Sequence, residues 1–125
     1  MAIRAILTFL WFSVTGLPAL AADVELLMFE QPGCVYCARW NEEVAPEYPR
    51  TAEGRAAPLR RLDLRAPLPE GITIDGHPIF TPTFVVIVDG VETGRLEGYP
   101  GEDFFWGLLG QMIEKADPTI GTLRK

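Results

Sequence analysis

The sequence predicts an α/β domain in which a βαβ unit, a loop and a ββα unit build one mixed sheet packed with helices. Three observations carry that expectation. The apolar run "VELLMFE" at 24–30 leads through a Pro-Gly turn into a helix-patterned stretch. "TFVVIVDGVETGRLEG" sets two strand-like runs around Asp89-Gly90, a dipeptide whose tolerance of positive φ suits a tight hairpin. "GEDFFWGLLGQMIEKADP" then closes the domain as an amphipathic helix.

The chain of 125 residues opens on "MAIRAILTFLWFSVTGLPALAAD", with one early cation at Arg4, an apolar stretch, and small residues ending at Ala22. That pattern reads as a secretory signal peptide over residues 1–21, cut after Ala21, with Ala22 as the second choice. An uncleaved anchor is the competing reading, but the apolar segment falls short of the roughly 20 residues a span needs. Residues 22–125 are enough for one domain with a single core.

Within that domain, 24–30 is expected as a strand buried on both faces. "CVYCARWNEEVA" reads as helix until Pro46 stops it. "PEYPRTAEGRAAP" is too rich in Pro and Gly for one long helix and is expected as a loop, with a helical turn at 51–54. "PLRRLDLR" follows as the second strand of the βαβ unit, and "APLPEGITIDGHPIF" as loop. In the last helix, Phe104, Phe105, Leu108, Leu109, Met112 and Ile113 are expected on one buried face, with Trp106 off it.

The chain has 11 Lys+Arg against 17 Asp+Glu and a formal net charge of −6. Such an acidic chain argues against nucleic-acid binding, which needs clustered cations. The arginines of 50–65 are interspersed with acids and read as solvated surface.

Cys34 and Cys37 are the only cysteines. A metal centre is disfavoured, because a structural zinc takes four ligands and the chain adds only His77. A purely structural disulfide would close about four residues and remove little unfolded-state entropy. The redox reading has a mechanism. Cys34 falls at the first turn of a helix, where unpaired N–H groups and the helix dipole favour a thiolate. Cys37 lies one turn on, on the same face, placed to resolve a disulfide formed at Cys34. Far off in sequence, Thr81-Pro82 precedes a central strand, a position where a proline normally needs a reason such as a cis bond.

With those residues in place, the chain resembles the thioredoxin fold from Val24 to about Lys115. The Pro-Gly-Cys-Val-Tyr-Cys sequence is more similar to glutaredoxins than to thioredoxins, whose cysteines enclose Gly-Pro. "PGCVYCARWNEEVAPEYP" with "EGYPGEDFFWGLL" is more similar still to the small periplasmic thioredoxins of the bacterial sulfur-oxidation (Sox) system. The resemblance implies catalysis by Cys34 and Cys37, and a cis-Pro82 packed against them. The backbone of Thr81 would pair with the substrate chain, and Tyr36 completes the expected substrate contacts. It also implies a periplasmic reductase of a Sox protein partner, fed with electrons by a membrane thiol transporter. No cofactor beyond the dithiol is expected, and a monomer is the default because the sequence offers no separate dimerisation domain. Two departures are visible. Thioredoxins bury an aspartate where this chain has Met28, the nearest acid being Glu30, and the glutathione-holding lysine and Gly-Gly-x-Asp turn of glutaredoxins are missing.

His77 reads as turn chemistry rather than a base, since dithiol exchange needs none, and Trp40 as packing. Within the same chemistry, an oxidase or isomerase of exported proteins is the alternative. In a different class, a binding module with an inert disulfide is the other.

Overall fold

The computed structural model describes residues 16–17 and 21–120. The expected signal peptide, 1–21, therefore lies almost wholly outside the described residues. The order of elements is β1 (Val24–Glu30), α1 (Val35–Glu43), a 3-10 turn (Tyr48–Arg50), α2 (Ala52–Ala56), β2 (Leu59–Asp63), β3 (Thr83–Val88), β4 (Val91–Glu97) and α3 (Glu102–Ala116).

One four-stranded sheet runs β2-β1-β3-β4. β1 and β2 are parallel, with Leu26 opposite Leu59 and Met28 opposite Arg61. β3 is antiparallel to both β1 and β4, with a bulge at Val86/Ile87. The hairpin turns on Asp89 and Gly90, both at positive φ (48° and 85°). The mixed sheet, its parallel βαβ pair and the closing helix agree with the fold expected from sequence.

β1 and β3 occupy the centre, and each buries both faces, so their runs are apolar throughout rather than alternating. On one face Leu26, Met28, Phe84 and Val86 meet Trp40, Phe105, Leu109 and Ile113 from α1 and α3. Trp40 is fully buried among Tyr48, Phe84 and Phe105, with ring centroids 5.3–6.1 Å away. On the other face Leu27, Phe29, Val85 and Ile87 are covered by no helix. Leu64, Leu68, Ile72 and Ile74 cover them, from the irregular segment 64–82, called here the strap.

Three expectations need correction. The 46–58 segment is more ordered than a loop: the helical turn expected at 51–54 is there, but it extends to Ala56 as α2 and follows a 3-10 turn, and Thr51 caps it, its Oγ1 accepting from the Gly54 amide at 2.9 Å. Gly54 is required there, because a Cβ would overlap the Tyr48 carbonyl. The second strand ends at Asp63, before the Arg65 suggested by its pattern. The third correction concerns α3. Its buried face is Phe105, Leu109, Gly110 and Ile113. Phe104 is 70% exposed, Leu108 is also exposed, and Trp106 turns inward to stack on Tyr48 with ring centroids 6.0 Å apart.

Candidate active site

β1 delivers the chain to one end of the sheet, and Gln31-Pro32-Gly33 turns it so that the Cys34 amide donates to the Gln31 carbonyl at 3.3 Å. Cys34 is the N-cap of α1. Its Sγ accepts from the Cys37 amide at 3.1 Å, so sulfur fills the place an oxygen usually takes at a helix start. Cys34 and Cys37 form a disulfide, with Cα atoms 5.2 Å apart. The two sulfurs differ in access: Cys34 is half-buried, whereas Cys37 is 4% exposed and packs into the core.

The end of the strap is tied to the turn before Cys34. The Thr81-Pro82 peptide bond is cis, and Pro82 is buried. Gly98 donates its amide to the Pro82 carbonyl at 2.7 Å, and Thr83 Oγ1 donates to the Phe80 carbonyl at 2.7 Å. Gln31 Nε2 donates to Thr81 Oγ1 at 2.9 Å, which ties the turn before Cys34 to the residue before the cis-proline. Tyr36 is exposed on the first turn of α1.

Glu30, Gln31 and Asn41 join both cysteines around a shallow cleft of about 360 Å³. Arg61 reaches over from β2, 2.6 Å from Glu30 Oε2, donates to Asn41 Oδ1 at 2.9 Å, and lies 5.6 Å from the Trp40 ring centroid. Glu30 thus shares the cleft with Cys37 but is ion-paired, and Met28 fills the buried position beneath as a plain core residue. Beside α1, Tyr99 donates its hydroxyl to Glu43 Oε2 at 2.5 Å, fastening the β4–α3 connection. That bond, aided by Arg39, holds the Glu43 carboxyl below its ordinary range, while burial and the same bond push the Tyr99 phenol up.

This arrangement suits a disulfide exchanger: one accessible sulfur at a helix start and one shielded sulfur behind it. A solved structure is closely similar, the crystal structure of the periplasmic thioredoxin SoxS from Paracoccus pantotrophus in its reduced form. It is 60% identical, with a TM-score of 0.75, over 76% of this chain and 100% of that one. The chain belongs to the thioredoxin family. As a thioredoxin with a paired CxxC, it is a thiol–disulfide oxidoreductase. No protein-family model and no curated protein matches the chain.

In this thioredoxin the structure brings Cys34, Cys37, Thr81 and Pro82 to one end of the sheet. His77 does not join them. It lies in the strap, Nε2 2.6 Å from the Leu64 carbonyl and its ring edge-on to Phe29. Among the described residues no group of three His, Cys, Asp or Glu side chains could hold a metal ion. Gln31, Asn41 and Arg61 are the site residues that sequence reasoning missed. Gln31 stands inside the motif, but its partner is 50 residues away, and Arg61 looked like one more surface cation.

Proposed function

We propose that the protein is a periplasmic reductase of a protein disulfide in sulfur oxidation. Residues 1–21 direct its export and are removed. Cys34 attacks the partner's disulfide, forming a mixed disulfide, and Cys37 attacks Cys34 Sγ to release the partner as a dithiol. The partner's chain lies along Thr81 and Pro82, with Tyr36 beside it. The oxidised protein is then recharged by a membrane thiol transporter. The observation that carries this reading is the difference in access between the sulfurs, since only Cys34 can meet a second protein. Similarity to a periplasmic SoxS supports the compartment and the class of partner.

Cys37→Ser tests the order of the two thiols. Expressed with its leader in the source cell, it should accumulate a higher-mass species that reductant removes, holding a sulfur-oxidation component. Cys34→Ser should trap little. Capture of many unrelated exported proteins would transfer the assignment to a general oxidase or isomerase, and no trapping by either variant would leave the disulfide structural.

A further inference from the structure

The strap is pinned far more firmly than an irregular loop requires. At its middle, Thr73 donates its amide to the Gly90 carbonyl at 2.7 Å and accepts from the Glu92 amide at 3.0 Å. Arg95 then closes over it. Its guanidinium pairs with Glu92 at 2.8 Å and donates to the carbonyls of Gly76 (2.8 Å) and Asp75 (3.1 Å), while Glu92 Oε2 accepts from the Asp75 amide at 2.7 Å. Both side chains are largely buried. From this clasp the chain runs through buried Pro78 directly to Ile79 and Phe80, which are 79% and 61% exposed, and then to the cis-proline.

Two large apolar side chains held out in water contribute nothing to the monomer's core. They are continuous with the disulfide site, because Thr81 beside them is bonded to Gln31 and Phe80 is bonded through its carbonyl to Thr83. They stand two and one positions before Thr81, so a protein segment laid along Thr81 has them as its next neighbours, whereas a small disulfide at Cys34 need not reach them.

Resting on the exchange reading above, we propose that Arg95, clasped by Glu92, is a positioning residue for protein substrates. It fixes the strap so that Ile79 and Phe80 form a specificity surface for a disulfide flanked by apolar residues. Affinity for such a partner depends on this device, and the chemistry at Cys34 does not.

Two oxidants separate these effects: insulin as a protein disulfide, and Ellman's reagent as a small one. In each reaction the reduced protein loses two electrons and two protons to form its disulfide, and the oxidant's disulfide becomes two thiols. Arg95→Met should raise the insulin concentration at half-saturation about tenfold, with the limiting rate and the reaction with Ellman's reagent changed less than about twofold. Arg95→Lys should fall between, since an ammonium keeps the charge but loses the planar fork that holds both Glu92 oxygens while one of its nitrogens reaches the two carbonyls. The pair Ile79→Ser and Phe80→Ser, at exposed positions where folding is little affected, should reproduce the tenfold rise. Unchanged half-saturation in either the Arg95→Met or the serine variant, or equal slowing with both oxidants, would overturn the inference. So would a wild type that reduces the small disulfide but never insulin. A wild type that reduces neither would bring down the exchange reading itself.

Discussion

Reduction of the Cys34–Cys37 disulfide is a perturbation that an exchanger undergoes in every cycle, and its cost can be worked from the loop the bridge closes. That loop holds about four residues, for which chain-entropy arithmetic gives about 2 kcal/mol. In a domain of this size the loss corresponds to a fall in Tm of about 8–16 °C. Part of it is offset on reduction, because a thiolate at Cys34 keeps accepting the Cys37 amide and gains from the helix N-terminus. The core does not depend on the bridge: Trp40, Phe84, Phe105 and Leu109 are buried against one another from α1, β3 and α3. The reduced SoxS crystal structure is similar over its full length. The expected outcome, read by circular dichroism on heating the wild type with and without dithiothreitol, is a cooperative transition in both states separated by no more than about 15 °C. Loss of the transition on reduction would refute the reasoning and make the disulfide a structural staple.

Other outcomes follow from packing and charge. Trp40→Ala should cost about 3–5 kcal/mol in chemical denaturation, Trp106→Ala about 1 kcal/mol for its stacking on Tyr48, and Phe104→Ala no more than about 0.5 kcal/mol; a reversed order for the last two would restore the helix face expected from sequence. Gly54→Ala should destabilise by about 1–3 kcal/mol, because the Tyr48 carbonyl must move. Burial alone would raise the Glu92 carboxyl, but hydrogen bonds from Arg95 and the Asp75 amide outweigh it and hold it below the usual value. A depressed folded-state value means stabilisation that is complete above the unfolded value of about 4.3 and lost as pH falls through the folded one. The Tm difference between wild type and Glu92→Gln should therefore be level near neutrality and shrink below about pH 4; a difference that grows on acidification would reverse the sign assigned to the pair. In the reduced protein at neutral pH, Cys34 should be alkylated well before Cys37, as peptide mapping would report.

The sheet was legible where burial leaves a one-dimensional trace. β1 and β3 are covered on both sides and read as unbroken apolar runs, and Asp89-Gly90 announces its own turn. α3 was harder because it carries two apolar stripes, Phe104-Leu108-Met112 and Phe105-Leu109-Ile113. The second is buried against Phe84 and Trp40, and Trp106 is drawn in beside it by Tyr48, in a segment whose prolines and glycine disguise its order. The strap's role as a cover was illegible, since Leu64, Leu68, Ile72 and Ile74 follow no single period. At the site, the cysteines and Thr81-Pro82 stood out as residue types. The links that assemble them did not, because Gln31–Thr81 and Glu30–Arg61 join side chains 50 and 31 positions apart.

The bond from Gln31 to Thr81 has a consequence for when the protein becomes selective. Both cysteines sit within four consecutive residues, so a freshly made or unfolded chain already has a dithiol able to react with any small oxidant. The surface beside it needs β1, β3 and β4 in register before Gln31 can reach Thr81 and Gly98 can reach Pro82. An unfolded chain therefore keeps its dithiol but loses the helix start at Cys34 and the burial of Cys37, so the asymmetry between the two thiols, like the Gln31–Thr81 link, belongs to the folded sheet.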